Sequence, residues 1–232
     1  MACLVFVLPM LAAYEIGVAL VGGTSADAMR TGADAWMRQA MAALGLRDRW
    51  LSPLCLVGAM LAWQAFHGES WKLRLSDLLG MAMESLVLAI ALIGVSRLVD
   101  LGFDRLDVQT VLQAGPSSSR QSVSAVIGFL GAGVYEEALF RLALIPAIYG
   151  SARLIHTPEV LAGTVAVTGS ALLFSLAHHA GAPGESFTWF AFIFRWLAGI
   201  FFAWVFLVRG FGVAVGTHAA YDVLVGWVGL HF

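Results

Sequence analysis

Three charged residues, Glu136, Glu137 and Arg141, stand inside the apolar run GAGVYEEALFRLALIP, residues 131–146. If that run crosses a bilayer, each charge costs about 2.5–3.5 kcal/mol on insertion scales, so a role must offset the cost. Glu137 and Arg141 are four residues apart, share a helical face and can neutralise each other. Glu136 points about 100° away from its neighbour, which leaves one carboxylate for other work. Two later apolar runs bring partners. LLFSLAHHAG sets Phe174 and His178 four apart, and GVAVGTHAAYDVLVG does the same for His218 and Asp222. Carboxylates and imidazoles in one apolar setting suit general acid–base chemistry and the stabilisation of a developing oxyanion. A buried ion-pair clamp would explain the Glu-Glu-Arg triplet alone. It explains less well two histidines, two carboxylates and an arginine distributed over three runs.

The elements that must position these residues are membrane helices. Of 232 residues, 60% are hydrophobic and 12% charged, against about 25% charged in ordinary soluble domains. Hydropathy predicts an all-α, polytopic membrane protein with seven spans near 1–23, 50–67, 78–99, 123–148, 160–180, 189–208 and 211–231, each about long enough for the hydrocarbon core. The segment 24–49 reads as an amphipathic helix at the interface, with Trp36, Ala40, Met41 and Leu44 on one face and Arg38 and Gln39 on the other. Paired with part of a neighbouring span it would make eight. The opening MACLVFVLPMLAAYEIGVALVGG has no basic n-region and reads as a retained helix. Trp50, Trp71 and Trp189 stand at expected span ends, where aromatic belts sit.

The polar segment 100–124, with its Gly-Pro-Ser cluster, divides the chain. Residues 1–123 are expected to supply the first membrane helices and the interfacial helix, and 124–232 the chemical core around a polar cavity. Six arginines in the 24–49 and 100–122 loops, against four basic residues in the alternate loops, favour a cytoplasmic side for the first set. Cys3 and Cys55 are isolated thiols and imply neither a disulfide framework nor a CxxC site. The formal charge of −2 and the lack of a basic patch argue against nucleic acid as a partner. Glu15 and Glu84 fall in first-half spans with no partner evident from spacing.

EEALFR, FSLAH and HAAYD resemble, in order, the EExxxR, FxxxH and Hxxx(N/D) motifs of the CPBP family, the CAAX proteases and bacteriocin-processing proteins also called ABI intramembrane glutamic endopeptidases. The resemblance covers roughly 124–228. It extends to the flanking pattern of a Gly-containing helix, a tight turn and the His218 helix. It implies an integral, multi-pass protein, expected in a prokaryotic cell membrane, that cuts a membrane-associated protein or peptide tail without a metal. Glu136 would be the general base, helped by His178. Glu137 and Arg141 would support it, and His218 would donate to the oxyanion together with residue 222. Many relatives carry Asn at that last position. Asp222 would therefore either be protonated and donate, or accept from the His218 ring N–H and orient it, and the four-residue spacing favours the second. Arg195 and Phe174 are further candidates, Arg195 for a substrate carboxylate or for neutralising Glu137, and Phe174 for the cavity wall.

Two alternatives stay open. Glu136, His178, His218 and Asp222 are all competent zinc ligands, although the HExxH spacing of zinc peptidases is missing. Intramembrane Glu, His and Arg also mark transporters and proton relays, and an immunity protein could keep the motifs without using them. One geometric difficulty accompanies the peptidase reading. By hydropathy, Glu136 lies mid-span and His178 near a helix end, a depth difference above roughly 10 Å. Either the boundaries shift, or AHHAGAPG enters the membrane as broken helix lining a wet cavity.

Overall fold

The computed structural model describes residues 1–23, 30–67, 71–105, 123–180 and 186–227, and every regular element in them is helical. In chain order these are α1 (Ala2–Gly22), α2 (Gly32–Ala43), α3 (Leu51–Phe66), α4 (Leu75–Arg105), α5 (Val123–Glu137), a π-helical stretch (Ala138–Leu144), α6 (Ile145–Leu154), α7 (Glu159–Ala177), α8 (Trp189–Arg209), α9 (Phe211–Asp222) and a second π-helical stretch (Val223–Trp227). The Gly-Pro-Ser cluster, Arg120 and most of the expected divide between the halves lie outside the described residues.

Among the described residues, five helices are long and apolar enough to cross a bilayer: α1, α4, the continuous α5–π–α6 rod, α7 and α8. Seven or eight were expected. The difference has two sources. Helix α3 is apolar but only 16 residues long; α9 has 12 residues and continues as π-helix to Trp227, and the rest of the span expected to 231 lies outside the described residues.

Helix α9 is the axis of the fold. Each residue from Phe211 to Ala219 is buried, as expected of a helix that is apolar on all sides. Helices α1, α4, α5 and α8 pack around it. It starts at a tight turn after α8, where Gly210 takes φ 90°, a backbone state that side chains disfavour. The large side chains on the outside, among them Leu20, Leu54, Phe66, Leu79, Met83 and Leu98, are apolar and exposed, as suits lipid-facing surfaces. Trp50, Trp71 and Trp189 are exposed at the ends of α3, α4 and α8.

Helix α2 turns its charged residues towards α1. Trp36, Ala40 and Leu44 are exposed, whereas Asp34 is fully buried and Arg38 turns inward. The reason is an ion-pair network that the polar face makes with α1. Asp34 binds Arg30 at 2.7 Å and Arg38 at 2.6 Å, while Glu15 lies 3.3 Å from Arg30 and 2.9 Å from Arg38. The Tyr14 hydroxyl donates to Asp34 (2.9 Å) and the Tyr135 hydroxyl to Glu15 (2.5 Å). Buried charges persist only when paired and hydrogen-bonded; here the pairing decides which face of α2 turns in. Glu84 also has a partner, since Arg209 of α8 binds it.

Candidate active site

The first catalytic candidates sit at a change of helix type. Helix α5 ends at Glu137 and the chain widens into π-helix over Ala138–Leu144. Pro146, in the first turn of α6, lacks an N–H and crowds the carbonyl four residues upstream, which loosens the ladder there. Ser170 of α7 donates to the Phe140 carbonyl at 2.5 Å, satisfying an acceptor within the widened turn. Stretches of π-helix recur at functional sites.

The depth difficulty disappears because the rod carrying Glu136 runs on to Leu154 rather than ending at 148. Helix α7 then returns alongside it. Glu136 lies 18 residues before Leu154, and His178 lies 19 residues after Glu159. Two antiparallel arms of nearly equal length bring the two side chains level. His178 is the C-cap of α7, so no broken helix is required; residues 181–184 of AHHAGAPG are outside the described set.

The three motifs converge. Glu136 Oε2 is 3.7 Å from His178 Nε2 and 3.9 Å from His218 Nε2, and Asp222 Oδ2 is 3.6 Å from the same His218 nitrogen. Each separation is longer than a direct hydrogen bond. They form a group of oxygens and nitrogens that face one another without touching.

The other nitrogen of each ring is fixed. His178 Nδ1 lies 2.9 Å from the Phe174 carbonyl oxygen; a carbonyl only accepts, so Nδ1 carries a proton, and in the neutral ring Nε2 presents its lone pair towards Glu136. His218 Nδ1 lies 2.7 Å from Glu137 Oε1. Glu137, not Asp222, is the acceptor that orients the His218 ring. Spacing along one helix suggested Asp222, but Asp222 approaches the opposite nitrogen.

Below this layer is a closed one. Glu137 Oε2 meets Arg141 Nε at 3.2 Å, as expected from their spacing. The Arg141 guanidinium lies 4.5, 5.3 and 6.0 Å from the ring centres of Phe174, Phe202 and Phe140 and donates to the Gly199 carbonyl at 3.3 Å. Rings at such distances attract a cation through their quadrupoles. Phe202 also stacks on His218, with ring centres 4.5 Å apart and 13° between planes. Side-chain exposure separates the layers: 0% for Glu137, 1% for Arg141 and 5% for His218, against 14% for Glu136, 23% for Asp222 and 26% for His178. Glu137 and Arg141 are closed off, Glu136, Asp222 and His178 are accessible, and His218 bridges the two, with Nδ1 on Glu137 and Nε2 facing Glu136 and Asp222.

Phe174 belongs to the buried layer. It is 3% exposed and packs edge-on against His178 and His218, so it shapes the machinery from behind rather than lining an open wall. Arg195 of α8 lies close enough for its charge to act on Glu136, His178 and Asp222. His179 turns to Phe187 and Phe192, away from this group. Tyr135 faces α1 through its bond to Glu15. Among the described residues, no set of three or more His, Cys, Asp and Glu side chains is arranged to hold a metal ion.

Residues 118–224 match the family model described as Rce1-like, type II CAAX prenyl endopeptidase Rce1-like. The match contains all three motifs and every member of both layers, and it agrees with the family that the motifs resemble. No curated protein and no solved structure matches the chain.

Proposed function

We propose, for a chain whose residues 118–224 belong to the Rce1-like type II CAAX prenyl endopeptidase family, that Glu136 and His178 activate a water which cuts a peptide bond, with no metal taking part. That family match and the apolar helices support a membrane protease. The finer reading concerns how it cuts. The observation that carries it is the meeting of Glu136 with the Nε2 atoms of two histidines from separate helices, at 3.7 and 3.9 Å. Those distances accommodate one water oxygen within hydrogen-bond reach of all three groups.

In this reading, ionised Glu136 takes one proton of the water as its oxygen bonds to the scissile carbonyl carbon. His178 Nε2 accepts the water's other hydrogen and holds it in line. The carbonyl π electrons move to oxygen, and the resulting oxyanion needs a donor. His218 already gives its Nδ1 proton to Glu137, so it donates from Nε2 only as the imidazolium, and carboxylates at 2.7, 3.6 and 3.9 Å surround it. When the intermediate collapses, the C–N bond breaks and the proton held by Glu136 passes to the leaving amine. The products are a new carboxyl terminus and a new amino terminus. General base catalysis contributes about 10²- to 10⁴-fold, and an oxyanion donor about 10²- to 10³-fold.

The substrate class that fits is a membrane-associated protein or peptide tail, delivered from the bilayer to the accessible layer. The test is purified protein in detergent with a farnesylated peptide ending in a CAAX sequence and, separately, the same peptide without lipid. Cleavage of either by the native protein, lost in Glu136→Gln at unchanged melting temperature, is expected. Equal cleavage by Glu136→Gln would refute the assignment.

A further inference from the structure

The Glu15–Tyr135 hydrogen bond lies outside the three motifs, and one of its partners, Glu15, precedes the family-matched segment altogether. Tyr135 is fully buried, is the residue immediately before Glu136, and donates to a carboxylate 120 positions earlier in the chain. Glu15 is itself held by Arg30 and Arg38, both of which also grip Asp34 of α2. Side chains from α1, α2 and the segment between them therefore end on one hydroxyl of the helix that carries the base.

Helix α5 needs such a fixture. Near Glu136 its closest approaches to α1 and α9 run through glycines, while Ile127, which packs on Gly17 of α1, lies nine residues earlier. A Cβ at Gly131 would strike the Tyr14 ring, and one at Gly133 would come within 2.9 Å of Ala219. Small residues allow helices to approach closely, but they offer no knob to resist rotation about the axis. On the other side of Glu136 and Glu137 begins the π-helical stretch, whose looser winding transmits rotation poorly. A turn of α5 by about 20° carries a carboxylate roughly 6 Å from the axis through about 2 Å, and misplacement near 1 Å can cost about 10²-fold in rate.

We infer that Tyr135 and Glu15 are positioning residues: their hydrogen bond locks the rotation of α5 and thereby aims Glu136 between His178 and His218. The inference rests on the proposed role of Glu136. It gives the helices before the family-matched segment a part in catalysis that goes beyond enclosing the core.

The test compares Tyr135→Phe, which removes one oxygen and leaves Glu15 held by both arginines, with the native protein on the farnesylated peptide. The expected result is a kcat about 10- to 100-fold lower, with KM within about twofold, in protein that elutes and melts as a folded species. A kcat within about twofold of native overturns the inference. Should Tyr135→Phe not fold, two variants of its partner carry the same test. Glu15→Gln keeps an acceptor oxygen for the hydroxyl and is expected to retain kcat within about threefold, whereas Glu15→Met is expected to lose it at least tenfold. Equal kcat in those two overturns the inference. Failure of the underlying reading looks different: there Glu136→Gln keeps cleaving, or the native protein cleaves nothing.

Discussion

The molecule buries two polar clusters side by side along α5, one ending at Tyr135 and the other starting at Glu136. Both contain two or more carboxylates and at least one arginine, yet they are built differently. In the α1–α2 cluster, Asp34 and Glu15 meet Arg30 and Arg38 at 2.6–3.3 Å, and both tyrosine hydroxyls are engaged. In the motif cluster, the buried half closes in the same way through Glu137 and Arg141, while the accessible half holds its oxygens and nitrogens at 3.6–3.9 Å. Direct contacts make a clamp; a gap of water size between groups that move protons makes a site for chemistry. Charge content alone does not tell the two apart.

Several variants break or sharpen this contrast. The largest effect is expected for Glu136→Gln, a fall in cleavage of at least about 10³-fold with little change in unfolding midpoint, since general base and positioned water are lost together. Any comparable loss from a residue of the α1–α2 cluster should instead pass through kcat at Tyr135 or through unfolding. His218→Ala should follow at about 10²- to 10³-fold, measured as kcat on the same peptide. Arg141→Met tests the closed layer: it strands the buried Glu137 carboxylate and should lower stability by about 3–5 kcal/mol in chemical unfolding. The smallest effect belongs to Asp222→Asn, expected to stay within about threefold of native activity. Glu137 already orients the His218 ring, and an amide at 222 can still donate. A hundredfold loss would return the orienting role to Asp222.

The site was largely legible because charges in an apolar run are costly, and Glu136, Glu137, Arg141, His178 and His218 stood out for that reason. Their convergence was legible only through the resemblance, since hydropathy ended the Glu136 helix at 148 and misjudged the depth of His178. The continuation to Leu154 passes through Gly150 and Ser151, residues whose weak helix preference hides it from the sequence. The partners of Glu15 were invisible for a different reason. Two sit on or just before a helix whose polar face looked destined for water, and the third, Tyr135, lies 120 residues away. Hydropathy did not show that α9 is wrapped by protein, because a helix wrapped by protein and one wrapped by lipid have the same apolar composition. The swap of Asp222 for Glu137 at the His218 ring reflects a contact between two helices, which spacing within one helix does not report.

The most direct test of the central claim is the isotope content of the product made in H₂¹⁸O with 1,10-phenanthroline present, native protein against Glu136→Gln. A metal-free, water-activating Glu136 predicts one ¹⁸O in the new carboxyl terminus from the native protein, chelator or not, and no product from the variant. Product from the variant at the native rate, or native cleavage abolished by the chelator and restored by zinc, would contradict it.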